Sequence, residues 1–302
     1  MRSKASCLVR WTYLNDYLLT LILGIVEGLT EFLPVSSTAH LRISQALLGM
    51  DLSDGFWKMF AIVIQIGPIL CLPIFFRDRI AVWFASFPGG TQGDRTVATH
   101  PITLTAVAFC FTAGPALLLK KLISKHLEDL SLIAITMIAG GIVMWIVDAV
   151  FGSRGKGSTE AEAAREVEDM GLGRAVWIGL CQAVSGIFPG TSRSMATIAG
   201  AQLCGLSRPA ALEFSFLLSI PTMIAATGHD LLSSLKPTAG ETPVHVDAHG
   251  WVLLLLGTVI SFVVAYAVVG WFMNWVRTRG FVPFAIYRLI AGAAVLAWVM
   301  NK

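Results

Sequence analysis

Apolar residues run along this chain in long blocks, and prolines interrupt them at telling places. The first block, 13–32, stops at Pro34, and a second, 35–48, follows directly. Proline lacks an N–H and clashes with the preceding turn, so it ends a helix. Each piece alone is too short to cross a bilayer comfortably, since a spanning helix needs about 20 residues. Together they predict a re-entrant helical hairpin. A spanning helix is expected over 57–76, kinked by Pro68 and Pro73, then a polar connection over 77–100 and spanning helices over 102–119 and 131–151. The stretch 152–173 is polar, begins Gly-Ser-Arg-Gly-Lys-Gly-Ser and reads as a soluble linker with a solvated helix face. Block 175–188 then meets Pro189 and 191–203 follows, a second broken pair, before spanning helices over 210–227, 251–273 and 284–300.

The order repeats. Gly24-Ile-Val-Glu-Gly-Leu-Thr-Glu-Phe-Leu-Pro34 aligns with Gly179-Leu-Cys-Gln-Ala-Val-Ser-Gly-Ile-Phe-Pro189 at a constant offset of 155, which places Glu27 opposite Gln182 and Ser37 opposite Ser192. One membrane domain, 1–302, therefore divides into a first repeat (13–151), the linker (152–173) and a second repeat (174–300). Each repeat is one re-entrant hairpin plus three transmembrane helices. Three crossings is an odd number, so the second repeat is expected upside down relative to the first, an inverted-topology repeat with its hairpins meeting near the midplane.

Composition agrees with an all-α polytopic integral membrane protein. Of 302 residues, 55% are hydrophobic and 14% charged, with a mean hydropathy of +0.72; soluble domains carry about 25% charged residues. A net charge of +3 argues against a nucleic-acid partner. The five cysteines are scattered, without CxxC or CxxH, and read as packing residues. Arg2, Lys4 and Arg10 precede an apolar stretch, but no small-residue cleavage site follows it and Asn15 and Asp16 interrupt its start, so a retained segment is expected. Lys and Arg divide almost evenly between the two sides of the expected topology, so the positive-inside rule does not orient it.

The polar residues inside apolar blocks carry the candidate chemistry. Glu27 and Glu31, four apart, share a helix face. After Pro34 come Ser36, Ser37 and Thr38, the capped start of a new helix bearing His40. After Pro189 come Thr191, Ser192, Arg193 and Ser194. A charge at the bilayer centre costs about 2.5–3.5 kcal/mol, so Glu27, Glu31 and Arg193 must face a polar cavity or one another. Two helix N-termini carrying hydroxyls and facing each other make an anion cradle, and Arg193 would add a bidentate phosphate fork. The residues point to a phosphate or diphosphate. Glu27 and Glu31 are suited to hold Mg²⁺ or Ca²⁺ through oxygen ligands, or one of them to activate a nucleophile. His40 could activate Ser37, attack phosphorus itself or protonate a leaving group. Singly, each residue has a bland explanation: a packing His, capping serines, a proton-relay acid. The combination favours a site. His100, His126, His229, His245 and His249 lie in or beside polar loops and read as solvated, while Arg42, Glu213 and Arg288 are as suited to an ion pair as to a direct role.

The stretch Glu27-Gly-Leu-Thr-Glu31-Phe-Leu-Pro-Val-Ser36-Ser37-Thr38-Ala-His40 and the stretch Pro189-Gly-Thr-Ser-Arg193-Ser resemble the two signatures of the bacitracin-resistance family, the undecaprenyl-diphosphate phosphatases of bacterial membranes. Gln65-Ile-Gly, Phe75-Phe-Arg-Asp-Arg and Phe214-Ser-Phe-Leu-Leu-Ser-Ile-Pro221 extend the similarity over nearly the whole chain. The resemblance implies hydrolysis of undecaprenyl diphosphate to the monophosphate carrier lipid of cell-wall synthesis, a divalent cation, a multi-pass place in the bacterial inner membrane and a site open to the periplasm. It puts Glu27, Glu31, Ser37, His40 and Arg193 on essential positions, and leaves a homodimer open. Ala39 and Met195 stand where the family usually has glycine, and Ala61 where an acid is common; Met195 bears on substrate fit or rate. The second membrane phosphatase family for this substrate pairs an Arg with a His six residues on, and position 199 is Ala. The alternative function is a transporter or flippase of an anionic lipid or small anion, an architecture that also uses inverted repeats with broken helices.

Overall fold

A computed structural model describes residues 2–90, 95–119, 129–152, 167, 170–235 and 246–301. Among these, all regular structure is helical. The helices are α1 (Arg2–Thr30), α2 (Ser37–Leu47), α3 (Gly55–Val63), α4 (Ile66–Phe75), α5 (Arg77–Ser86), α6 (Pro101–Leu118), α7 (Leu130–Phe151), α8 (Leu172–Ile187), α9 (Arg193–Leu203), α10 (Arg208–Leu235), α11 (Ala248–Arg279) and α12 (Val282–Met300). Six helical stretches are long and apolar enough to cross a membrane: Gly55–Phe75, Pro101–Leu118, Leu130–Phe151, Arg208–Ser233, Ala248–Arg279 and Val282–Met300. They coincide with the six blocks read as spanning. The chain is a polytopic helical membrane protein, and exposed residues such as Leu255, Val263 and Ile290 on these helices suit contact with lipid.

Both broken pairs form. Helices α2 and α9 are each 11 residues long and each start from a serine N-cap, Ser36 and Ser192, whose hydroxyl accepts from the backbone N–H three residues on. Both caps sit at positive φ, 75° and 74°. This corrects the alignment of Ser37 with Ser192. The offset of 155 holds up to the prolines and becomes 156 at the caps, because Gly190 and Thr191 occupy the turn where Val35 stands alone in the first hairpin. Ser37 therefore corresponds to Arg193. In the packing, α1 lies against α11 and α8 against α6, α4 against α11 and α10 against α6, and α7 against α12.

Close helix approach explains several glycines. A Cβ on Gly28 would stand 2.7 Å from the carbonyl oxygen of Ser261, so α1 and α11 reach this separation only with glycine there. The buried stripe of α1 runs Leu19, Leu23 and Gly24, and Glu27 lies on it.

Three elements depart from expectation. The 57–76 helix breaks at Ile64–Gln65, one turn before Pro68, since Pro68 has no N–H to give the carbonyl of Ile64. That carbonyl accepts instead from Ser261 Oγ at 2.7 Å and Gly67 N at 3.2 Å. The polar connection 77–100 contains helix α5, whose Trp83 is buried and whose Arg79 pairs with Glu213 of α10 at 2.8 Å. His100 is buried rather than solvated: its Nδ1 accepts from Ile102 N at 3.3 Å, capping α6, with Phe87 edge-on to its ring. His229 is half-exposed beside Asp230, and His249 contacts Asp16 at 3.3 Å. His126, His245 and most of the expected linker, 153–166 and 168–169, lie outside the described residues; its Val167 and Met170 are apolar and tuck into the core.

One end of the bundle is tied by Asp148. Its Oδ1 accepts from Gln202 Nε2 at 3.1 Å and Arg208 Nε at 2.7 Å, and its Oδ2 from Phe281 N at 2.9 Å. One carboxylate thus fastens α7 to the end of α9, the start of α10 and the α11–α12 turn. Asp148→Ala would leave those donors unpaired, and breaking such a buried pair costs about 3–5 kcal/mol. We expect the melting temperature of the purified protein in detergent to fall by about 6–10 °C, as differential scanning fluorimetry would measure.

Candidate functional site

The two hairpin turns meet, and a single guanidinium sits at the junction. Arg288 of α12 is fully buried and, among the described residues, donates to carbonyls: Nη1 to Pro34 O at 3.1 Å, Nη2 to Gly190 O at 3.0 Å and Thr136 O at 3.3 Å, and Nε to Met137 O at 3.2 Å. It joins both turns to α7. Gly190, at φ +90°, has no room for a side chain: a Cβ would run into Thr136 Oγ1 and Ile133 O. The hydroxyl of Thr136 donates to the carbonyl of Pro189, and Ser194 Oγ donates to Leu33 O at 3.0 Å, a second strap between the hairpins.

Held this way, the hairpins bring three of the expected residues into one cluster. Arg193 Nη2 donates to Glu31 Oε1 at 3.1 Å, and Ser37 Oγ donates to Glu31 Oε2. Both side chains of the ion pair are largely buried, 15% and 8% exposed, so it is shielded from solvent screening. The cross-repeat pair is what makes two opposite charges tolerable inside an apolar bundle. Arg193 Nη1 is buried and has no hydrogen-bond partner among the described residues. Neither oxygen of Glu27 accepts a hydrogen bond there either, although the side chain is fully buried, with Glu31 and Arg193 as its charged neighbours. Three buried polar atoms on two neighbouring side chains are thus unspent, a pattern that native interiors avoid unless a ligand or ion completes it.

The remaining candidates fall into two groups. Ser36 and Ser192 are buried and cap their helices, Ser192 Oγ also lying 3.1 Å from Ser194 Oγ. Thr191 is buried in the second turn, whereas Thr38 is exposed on the outer face of α2. His40 is not paired with Ser37. Its Nδ1 lies 2.7 Å from Ser36 O, and its Nε2 lies 2.7 Å from Tyr287 Oη, whose ring stacks on the imidazole at 5.6 Å. Tyr287 and Thr136 were invisible as site residues in the sequence, where each reads as ordinary helix surface. Arg288 carried a signal, a cation within an apolar block, but not its role as a tie between the turns.

The hard oxygen donors suit a divalent cation of the Mg²⁺ or Ca²⁺ type. Glu27 brings two uncommitted carboxylate oxygens, and Glu31 brings oxygens already shared with Arg193 and Ser37. Among the described residues, no group of three or more His, Cys, Asp or Glu side chains forms a closed cage.

Ala39, Ala61 and Met195, singled out in the sequence, are all packed. Ala39 is buried with Ile133 and Met137. Ala61 lies among Leu23, Phe60 and Ile64. Met195 is buried with its Cε 2.8 Å from where a Cβ on Gly140 would stand, so Gly140 supplies the space that the longer side chain fills.

Comparison with known proteins places the sequence of this chain in one family. The family model described as bacitracin resistance protein BacA matches residues 20–294. An undecaprenyl-diphosphatase of Koribacter versatilis is 59% identical over 96% of this chain and 100% of its own length. Those of Thermus thermophilus and Anaeromyxobacter dehalogenans are 41% and 38% identical, over 92% and 93% of this chain and 95% and 90% of theirs. With its hairpins, its acids and its arginine within the matched span, the chain belongs to the bacitracin resistance protein BacA family.

Proposed function

We propose that this protein hydrolyses undecaprenyl diphosphate to undecaprenyl phosphate and inorganic phosphate, recycling the carrier lipid of peptidoglycan synthesis and so conferring resistance to bacitracin. The observation that carries the reading is the Glu31–Ser37–Arg193 cluster at two facing helix N-termini. Those N-termini and the uncommitted Nη1 of Arg193 supply positive character where a terminal phosphate would dock. The protein lies in the inner membrane with its halves inverted relative to each other, its site open to the periplasm and the isoprenoid tail in lipid.

Ser37 is the nucleophile best placed by its contacts. Its hydroxyl proton already points at a carboxylate, the nucleophile–base geometry of covalent catalysis. Attack of Ser37 Oγ on the terminal phosphorus passes its proton to Glu31 and breaks the anhydride bond, releasing undecaprenyl phosphate. Water then attacks the phosphoserine and gives a proton to His40 Nε2; the P–Oγ bond breaks, Ser37 takes back its proton from Glu31, and inorganic phosphate leaves. Arg193 stabilises the equatorial oxygens in both steps. Glu27, with Glu31, would hold a divalent cation, which when bound neutralises charge on the diphosphate.

Purified Ser37→Ala and Arg193→Ala are each expected to lose about 10²–10³-fold in kcat/KM for phosphate release from the lipid diphosphate. Full activity in either variant would overturn its assigned role. Arg288→Lys keeps the charge but loses the planar fork. It should lower kcat by about tenfold or more in the same assay. Chelation with EDTA should abolish turnover and added Mg²⁺ or Ca²⁺ restore it, while Glu27→Gln should raise the cation concentration needed for half-maximal rate by about tenfold.

A further inference from the structure

A contact outside the two signature stretches bears on the same site. His40 Nδ1 faces the carbonyl of Ser36 at 2.7 Å, and a carbonyl oxygen only accepts, so Nδ1 carries the hydrogen. In the neutral imidazole the lone pair is then on Nε2, the nitrogen that Tyr287 Oη approaches at 2.7 Å. The phenol hydroxyl donates to it and its ring stacks nearly parallel to the imidazole, 15° apart. Tyr287 is itself well fixed at its backbone, because the next residue, Arg288, is anchored to Pro34, Thr136, Met137 and Gly190. Its side chain is nevertheless 45% exposed and flanked on α12 by outward-facing Ile286 and Ile290. It therefore stands between the imidazole and the lipid face of the protein.

We propose that Tyr287 is a positioning residue for His40: it holds the ring whose tautomer the Ser36 carbonyl sets, and its hydroxyl covers Nε2. What His40 does in turnover rests on the hydrolase reading; what Tyr287 does to His40 rests on the contacts alone.

The test compares wild type, Tyr287→Phe and, as a lipid-exposed tyrosine away from the site, Tyr266→Phe, each purified in detergent. Diethyl pyrocarbonate acylates an unprotonated, uncovered imidazole nitrogen, and peptide mass spectrometry follows His40 separately from the other histidines. Losing one hydrogen bond should speed acylation of His40 about threefold or more in Tyr287→Phe. The kcat for phosphate release should fall about tenfold with KM nearly unchanged, and the melting temperature should stay within about 2 °C of wild type. Tyr266→Phe should match wild type throughout. Unchanged acylation of His40 in Tyr287→Phe overturns the covering role, whether or not kcat falls. Faster acylation with an unchanged kcat overturns the positioning role in turnover, and a kcat loss tracking a large fall in melting temperature marks a merely structural one. Wild-type protein without phosphatase activity would sink the hydrolase reading, while the acylation measurement would still decide what Tyr287 does.

Discussion

The site depends on one buried guanidinium. Among the described residues Arg288 has no carboxylate partner; it spends its donors on the carbonyls of Pro34, Thr136, Met137 and Gly190. The carbonyls of Pro34 and Gly190 are open to it because both hairpins break at a proline and turn sharply, leaving backbone oxygens without helical partners, whereas those of Thr136 and Met137 lie within α7. A cation and a set of orphaned carbonyls, each costly alone in an apolar bundle, satisfy one another. The result is geometric as much as energetic. Two turns from distant parts of the chain are held against α7 in fixed relation, and with them the starts of α2 and α9.

The second constraint is charge. Glu31 lies on the first hairpin and Arg193 on the second, and their contact joins the two across the same junction. Glu31 divides its oxygens between Arg193 and Ser37, so one acid both compensates the arginine and orients the hydroxyl. Glu27, one helical turn earlier beside Glu31, accepts no hydrogen bond at either oxygen among the described residues. The first hairpin thus supplies the groups that can accept protons or a cation, and the second supplies the positive charge. The one-residue difference between the turns is what allows this. Gly190 and Thr191 in place of Val35 bring Arg193 into register with Ser37, so the acid can reach both.

Much of this architecture was legible in the chain. The six spanning blocks, the two broken pairs and the cluster of acids, hydroxyls and arginine follow from where apolar runs stop and where prolines fall. The boundaries shifted where local polarity and tertiary contacts disagreed: 77–100 looked like a loop because Arg77, Asp78 and Arg79 open it, yet Trp83 is buried and Arg79 pairs with Glu213. His100 looked solvated because polar residues precede it, but it caps α6 from a buried position. A kink at Pro68 and Pro73 is what the sequence predicts for 57–76, whereas the helix breaks at Ile64–Gln65, where Pro68 leaves the Ile64 carbonyl without its helical donor.

Sequence by itself determined what must be inside the membrane and what had to be compensated there. Transfer free energy is a sum over consecutive residues, so composition along the chain fixes the spans, and isolated charges within them announce a site. Only the tertiary structure decided which atoms meet. Ser37 turned to Glu31 rather than to His40, its near neighbour on the same helix, and His40 found Tyr287, 247 residues away in sequence. Such pairings are directional and short-ranged, and depend on how α12 and the two hairpins pack, which no local pattern of polarity encodes.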